Sequence, residues 1–194
     1  MRKSYFQLEN HTLSYFHGSM KTMKLRLIGA APLLMNRYPT EKNPSRASAD
    51  TAVERVLPSE EEFLNDALYH DDMGIYLPSD WIEAALRDAA KGFRQKGLKT
   101  YKEAIQSSVF LTEEKVRLKD PKWIPDRRPV TVQKARVVRV RPRFDAWETE
   151  SFEITYNEAR ITRDRLLSIL EEAGNSKGIG DYRPKFGRFS VSAR

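Results

Sequence analysis

The residues best suited to chemistry lie near the end of the chain, where two close glycines are flanked by cations. Lys177 precedes Gly178 and Gly180, and Arg183 and Lys185 follow them. Glycines let a loop bring its backbone amides close to an anion, and neighbouring cations favour a phosphodiester over a neutral metabolite. The same residues also suit a helix C-cap followed by a tight turn into a strand. Both interpretations are open at this point.

A stretch of alternating arginines is a second candidate for phosphate binding. Arg139, Arg141 and Arg143 fall on one side of a predicted strand, whereas Val138 and Val140 fall on the other. Residues on one face of a strand lie roughly 7 Å apart, which is close to the phosphate spacing of an extended single strand. The alternative is cross-strand pairing with acids of the following arm, at under about 1 kcal/mol per pair. These acids are Glu148, Glu150 and Glu153.

Aromatic residues lie among the cations, and base stacking beside a cationic groove holds single strands without sequence preference. Tyr182, next to Arg183 in the glycine loop, is the best candidate for stacking. We therefore expect a nucleic-acid-binding surface and no catalytic residue. Its predicted residues are Arg127, Arg128, Lys134, Arg136, Arg139, Arg141, Arg143, Lys177, Gly178, Gly180, Tyr182, Arg183, Lys185 and Arg188.

The positive charge is concentrated in two segments of this 194-residue chain, whose formal net charge is +7. Residues 115–145 contain eleven Lys and Arg against three Asp, and residues 177–194 contain five against one. The rest of the chain is net negative. A local excess of cations is what a surface for a polyanion requires.

Composition excludes several other classes of site. The chain has no cysteine, which rules out disulfides, thiolate zinc sites and cysteine nucleophiles. No run approaches the roughly 18 apolar residues of a membrane span, and no secretory signal is present, so we expect a cytoplasmic protein. His70-Asp71-Asp72 resembles part of a metal site or an acid–base pair, but the aspartates more simply open a turn. We expect no metal and no cofactor.

Hydrophobic periodicity predicts the elements that position these residues. Strands are predicted at 23–28, 74–77 and 109–118, and a closing strand at Phe189 and Val191. A long hairpin is predicted with arms 130–143 and 147–156 and with its tip at 144–146. Ser59, Ser79 and Thr162 are predicted helix N-caps, and Gly97 the end of the second helix.

Without insertions, the order of elements is strand, helix, strand, strand, helix, strand. This order predicts an α+β, ferredoxin-like (RRM-like) βαββαβ fold. A mobile loop at 37–59 and the hairpin at 130–156 are its insertions. We expect one such domain over residues 21–194. Residues 1–20 are an uncertain extension, because 15–20 look like a remnant of an expression vector.

Three segments are similar to motifs of one family. Ala31-Pro32-Leu33-Leu34-Met35 is similar to a Pro-Leu turn after the first strand, 77–87 to a strand–Pro–Ser–helix segment, and 178–187 to a C-terminal glycine-rich loop. Together they resemble the RAMP superfamily, the ferredoxin-like subunits of CRISPR effector complexes in antiviral defence, and most resemble the guide-RNA-coating backbone branch. Glu83-Ala84 replaces the usual Lys/Arg-Gly pair, and the final loop lacks one glycine of the family pattern.

The resemblance implies a groove for single-stranded RNA and homo-oligomeric packing of neighbouring subunits into a filament. It also implies that the 37–59 loop and the 130–156 hairpin contact the next subunit. Because the chain is shorter than typical backbone subunits, a stand-alone or phage-borne relative is an open alternative. Two other functions stay open: a metal-independent endoribonuclease that uses His70 or Tyr182 with Lys185, and a protein-binding module or inhibitor that docks an acidic partner.

Overall fold

The centre of the fold is a four-stranded antiparallel sheet, seen in a computed structural model that describes residues 20–37, 59–97, 99–132 and 135–193. In spatial order its strands are β10 (Phe189–Ala193), β1 (Met20–Gly29), β9 (Phe152–Asn157) and β5 (Val109–Leu111). The alternation predicted for the first strand is present, because Met23, Leu25 and Leu27 are buried. In this register Leu27 lies opposite Val191, and Met23 lies opposite Ile154.

Two long helices connect the strands of this sheet. α2 (Ser79–Ala90) lies in the chain between β1 and β5, and α4 (Arg163–Glu172) lies between β9 and β10. In each half the connection passes over one strand of the other half. This interleaved order of two βαβ units is the ferredoxin-like arrangement, so the predicted α+β fold class is confirmed.

One hydrophobic cluster joins the helices to the sheet. The predicted apolar face of α2 is buried at Ile82, Ala85, Leu86, Ala89 and Ala90. Fully burying one Leu or Ile side chain contributes about 1.5–3 kcal/mol to folding. The helices are therefore fixed against the sheet, and the loops at their ends are held in defined positions.

Two of the three predicted helix N-caps, Ser59 and Thr162, are present in the structure. Ser59 and Glu62 form a capping box before α1 (Glu60–Asp66), and Thr162 accepts a hydrogen bond from the Arg165 amide before α4. Ser79 is not an N-cap, because Pro78 takes that position and makes no side-chain cap. The Ser79 amide instead donates to the carbonyl of Glu114 at 2.9 Å. α2 ends at Ala90, well before Gly97.

The insertions build two further three-stranded sheets. One consists of β3 (His70–Asp71), β4 (Gly74–Pro78) and β6 (Lys115–Arg117). The other consists of β2 (Leu33–Leu34), β8 (Ala135–Phe144) and β7 (Ile124–Val132). α3 (Lys102–Ser108) precedes β5. The extended segment predicted at 109–118 is thus divided between the central sheet and the first of these insertions.

The long hairpin lies one strand earlier than predicted. β8 pairs with β7, from Ile124 opposite Arg143 to Val132 opposite Ala135, whereas β9 pairs with β1 and β5. The predicted pairing of arms 130–143 and 147–156 is therefore wrong. β7 was not predicted as a strand because it contains two prolines, and proline is rare in a central strand. β7 has one neighbour only, and an edge strand tolerates proline.

Parts of the expectations lie outside the described residues. These parts are residues 1–19, most of the 37–59 loop, and residues 133–134. No helix in the described ranges has the length and apolar character needed to cross a membrane.

Candidate nucleic-acid interface

The β7–β8 hairpin has one face rich in arginine. Asp126 lies opposite Arg141, and Arg128 lies opposite Arg139, so these four side chains share a face with Arg143. The predicted separation of Arg139, Arg141 and Arg143 from the intervening valines follows from this regular register.

Arg127 lies on the opposite face of the hairpin from its neighbour Arg128, since successive residues of a strand alternate. It is paired across the strands with Val140 and forms an ion pair with Glu60 of α1. Arg127 and Arg128 therefore lie on opposite faces of the hairpin and cannot belong to one binding surface.

The glycine-rich loop packs against the arginine face. Asp181 Oδ2 lies 2.8 Å from Arg141 Nε. The guanidinium carbon of Arg141 is 5.6 Å from the centroid of the Tyr182 ring, and that of Arg128 is 4.7 Å from the Phe186 ring. Two segments about 40 residues apart in the chain thus form one surface. We call it the arginine–tyrosine cluster; it comprises Asp126, Arg128, Arg139, Arg141, Arg143, Asp145, Asp181, Tyr182, Arg183, Lys185 and Phe186.

Carboxylates of the hairpin itself pair with two of its arginines. Arg128 Nε lies 2.5 Å from Asp126 Oδ1, and Arg143 contacts Asp126 at 3.3 Å and Asp145 at 2.6 Å. The hydrogen bond from Arg128, and next that from Arg143, hold the pKa of Asp126 below its ordinary value. The alternative considered for these arginines, pairing with the acids of 148–153 across the strands, does not occur, because β8 pairs with β7 and β9 pairs with β1 and β5.

Arg141 is nearly fully buried, with 5% of its side chain exposed. Although its Nε is close to Asp181, the angle between them is poor for a hydrogen bond. Arg141 Nε and Nη1 and Asp181 Oδ2 have no hydrogen-bond partner. Buried guanidinium donors without acceptors are uncommon, and since these atoms have almost no exposed surface, Arg141 faces the glycine-rich loop rather than the solvent.

Tyr182 combines backbone strain with exposure. Its φ is 63°, a left-handed conformation that a bulky non-glycine residue rarely adopts and that usually costs about 1–3 kcal/mol. The residue is 43% exposed, and its ring meets Phe186 edge to face at 6.1 Å. An exposed aromatic ring held in a strained conformation above a buried arginine suits a stacking surface.

The loop glycines are explained by contacts within the chain. Gly180 has a φ of 76°, and a Cβ there would lie 2.6 Å from the carbonyl oxygen of Leu34. At Gly178, whose φ is 67°, a Cβ would lie 2.9 Å from the Phe186 carbonyl oxygen. The Gly178 amide donates to the carbonyl of Ala173 at 2.8 Å, so it is not free to meet an anion. These glycines are needed for the shape of the loop and do not form a backbone site that binds an anion.

Four of the remaining predicted residues lie in or beside this loop. Arg183 and Lys185 are exposed and form no ion pair with the described part of the chain. Lys177 ends a π-helical turn (Ala173–Lys177) after α4, and Arg188 is exposed just before β10. Arg136 lies opposite Thr131 in β8. Lys134 is outside the described residues.

The outer face of the central sheet is a poor second candidate for the interface. Lys24 lies opposite Glu153, and Arg26 lies 3.5 Å from Glu148. Phe110 is a large exposed apolar residue on β5, opposite Thr155. Positive and negative charges alternate on this face, so it has no clear excess of cations. The arginine–tyrosine cluster does have such an excess.

The His70 segment forms a turn. Asp71 accepts a hydrogen bond from the Met73 amide at 3.0 Å, and pairs with Arg117 at 2.5 Å and Lys115 at 2.8 Å. The hydrogen bonds from Arg117 and then Lys115 hold the pKa of the Asp71 carboxyl far below its usual range. Within the described residues no three His, Asp or Glu side chains are grouped to hold a metal ion.

Four residues of the cluster were not among the predicted site residues: Asp126, Asp145, Asp181 and Phe186. Asp126 and Asp181 each hold an arginine in place. The spacing Asp126-x-Arg128 places both side chains on one face of a strand, and this was the signal that could have identified the first. No local pattern indicates that Asp181 meets Arg141.

Comparisons with known proteins give little further information. No known protein family and no curated protein matches the sequence. Among solved structures, the crystal structure of Cmr6 from Pyrococcus furiosus superposes with a TM-score of 0.48 and 10% identity, covering 90% of this chain and 99% of that one. A likeness at this level is too weak to assign a family or an activity.

Proposed function

We propose that this chain binds single-stranded nucleic acid at the arginine–tyrosine cluster, and that RNA is the ligand to test first. The observation that carries the proposal is an excess of cations beside a strained, exposed aromatic ring. The cluster contains six Arg and Lys against three Asp. A surface with this charge attracts a polyanion, and the ring of Tyr182 offers a face on which a base can stack.

The ion pairs in the cluster do not remove its capacity for phosphate. A guanidinium has five N–H donors, and the contacts of Arg128 with Asp126 use two of them. Arg139 is exposed and forms no ion pair with any described residue. The carboxylates orient the arginines, and the unmatched donors and net positive charge stay available to the ligand.

The ligand is proposed to be single-stranded because stacking on Tyr182 needs an unpaired base. Arg139 and Arg143 lie on one face of β8, on either side of the buried Arg141. At a rise of about 3.3 Å per residue they are roughly 13 Å apart, so an extended strand along this face would meet guanidinium groups at two points. Binding is therefore assigned to the backbone and to stacking, without a sequence preference.

We also propose that the protein is non-catalytic and self-associates along its ligand, as the resemblance to guide-RNA-coating subunits implies. The alternative, an endoribonuclease, would use His70 or Tyr182 with Lys185; His70 lies in β3, which is not part of the arginine–tyrosine cluster. Incubation with labelled hairpin RNA tests this part. We expect intact RNA; cleavage that is lost in His70→Ala would favour the endoribonuclease.

The state of the purified protein tests the binding proposal. We expect the wild-type protein to carry nucleic acid, seen as a raised ratio of absorbance at 260 to 280 nm, and to become smaller on a sizing column after nuclease treatment. A cluster variant with Arg139→Gln, Arg183→Gln and Lys185→Gln should be free of nucleic acid. Protein that is free of nucleic acid and also fails to bind added RNA or single-stranded DNA would contradict the proposal.

A further inference from the structure

The loop between α2 and α3 is strongly basic. Residues 91–102 include five Lys and Arg and no Asp or Glu. The loop folds back on itself, because the Tyr101 amide donates to the Phe93 carbonyl at 3.0 Å. Lys91 lies at the negative end of α2, where a cation is stabilised, but that effect fades within one turn. It does not account for Arg94, Lys96 or Lys99.

The turn before α4 and the first turn of α4 lie against this loop and add three arginines. Gln95 Nε2 donates to the Arg160 carbonyl at 3.3 Å. The guanidinium of Arg165 lies 5.6 Å from the Phe93 ring and 5.5 Å from the Tyr101 ring. The loop and the turn therefore form one surface, which we call the helix-end patch. Its cations are Lys91, Arg94, Lys96, Lys99, Lys102, Arg160, Arg163 and Arg165.

Most cations of the helix-end patch are not ion-paired within the described residues. Lys91 pairs with Asp88 at 2.6 Å. The other seven cations form no ion pair with a carboxylate in the described part of the chain. On the arginine–tyrosine cluster, by contrast, Arg128, Arg141 and Arg143 each have an aspartate partner. Four acids lie in the same segments, Asp88, Glu103, Glu158 and Asp164, so the eight cations leave an excess of positive charge. A bound polyanion relieves the repulsion within that excess.

α2 links the helix-end patch to the arginine–tyrosine cluster. Gly180 of the glycine loop packs near Trp81 in the first turn of α2, since a Cβ there would lie 3.4 Å from the indole ring. The helix has 12 residues and is about 18 Å long. Near its last turn the Lys91 ammonium, and at longer range Arg87 and Arg183, lower the pKa of Asp88. Arg183 of the glycine loop thus acts on the end of α2 where the helix-end patch begins.

We propose that the helix-end patch is a second phosphate-binding surface, which extends the path of a single nucleic-acid strand from the arginine–tyrosine cluster along α2. This inference rests on the proposed function. Sites for single strands on one fold span about 4–16 nucleotides. The two surfaces together require the longer part of that range, whereas a short oligonucleotide occupies the cluster alone.

The test measures binding of fluorescent oligo-uridine of about 6 and about 20 nucleotides to three variants. The patch variant has Arg94→Gln, Lys96→Gln and Lys99→Gln. Its matched control has Lys24→Gln, Lys119→Gln and Lys122→Gln, three exposed lysines outside both surfaces. The third is the cluster variant defined above. Each variant loses three positive charges, so a difference in affinity among them depends on where the charges were and not on how many were removed.

We expect the patch variant to bind the long oligonucleotide about tenfold more weakly and to lose about two units of salt slope, since each phosphate contact to a single strand contributes about 0.7. Its affinity for the short oligonucleotide should match the control. Unchanged binding of the long oligonucleotide, with the cluster variant still impaired, would overturn the inference and leave the proposed function intact. An equal loss for both lengths would also overturn it. Absence of binding by the wild-type protein would overturn both.

Discussion

At the scale of single residues, Tyr182 carries the most specific argument for binding. Its ring is exposed, and its backbone has a φ of 63°. Strain of this kind persists only when the surrounding contacts fix it. Here the contacts are the hydrogen bond from its amide to Asp181 and the packing of its ring on Phe186.

Replacing the ring of Tyr182 should weaken binding of a single strand. We expect Tyr182→Leu to lose about 1–3 kcal/mol of affinity, because base stacking on an aromatic ring contributes about that much. Tyr182→Phe retains the ring and should bind like the wild type. Fluorescence anisotropy with a short oligonucleotide measures both. Equal affinities for Leu and Phe at this position would exclude a stacking role.

Gly187 should not tolerate substitution, because there is no room for a side chain at this position. A Cβ at this residue, whose φ is 71°, would lie 1.7 Å from the carbonyl oxygen of Ile179. We expect Gly187→Ala to lower the free energy of unfolding by more than about 1–3 kcal/mol, since strain and overlap add. Gly92→Ala is the control, because its Cβ would lie 3.4 Å from the Ala89 carbonyl oxygen. Similar melting temperatures for the two variants would contradict the described loop.

At the scale of elements, the periodic segments were predictable and the long-range pairings were not. The buried faces of β1 and α2 follow from the local spacing of apolar residues, so the α+β class could be predicted from the sequence. The partner of β8 was not, because Pro125 and Pro129 made β7 resemble a loop. The basic run at 91–102 is visible in the sequence, but its contact with the turn before α4 joins two segments that meet only in the fold.

Asp126 should stabilise the hairpin in a pH-dependent way. Its pKa is below the ordinary value of 3.8 in the folded state, so its contribution to stability is complete above that pH and is lost as the pH falls through the lower folded-state value. We expect Asp126→Asn to lower the free energy of unfolding by about 1–3 kcal/mol at pH 7. Denaturant titrations at pH 7, 5 and 3 should show this difference shrinking only at the lowest pH. A difference that is independent of pH would contradict the ion pairs of Asp126.

At the scale of the whole molecule, the hairpin carries an exposed apolar side chain on the face opposite the arginines. Val138 is 67% exposed. If the protein assembles along its ligand, this face is suited to contact a neighbouring subunit. We expect Val138→Asp to reduce the number of protomers per long RNA in analytical ultracentrifugation while short oligonucleotides bind normally. Met73→Asp, at another residue with an exposed apolar side chain, should assemble like the wild type.

The central claim is that a cationic surface binds the backbone of a single strand, and the salt dependence of affinity tests it most directly. Each neutralised phosphate releases counterions, so the logarithm of the binding constant should fall linearly with the logarithm of salt concentration. Between about 50 and 200 mM salt we expect the affinity of the wild type for single-stranded RNA to fall by about 100-fold or more. The cluster variant with Arg139→Gln, Arg183→Gln and Lys185→Gln should have a shallower slope. An affinity that hardly changes over this range, or equal slopes for both proteins, would contradict the account.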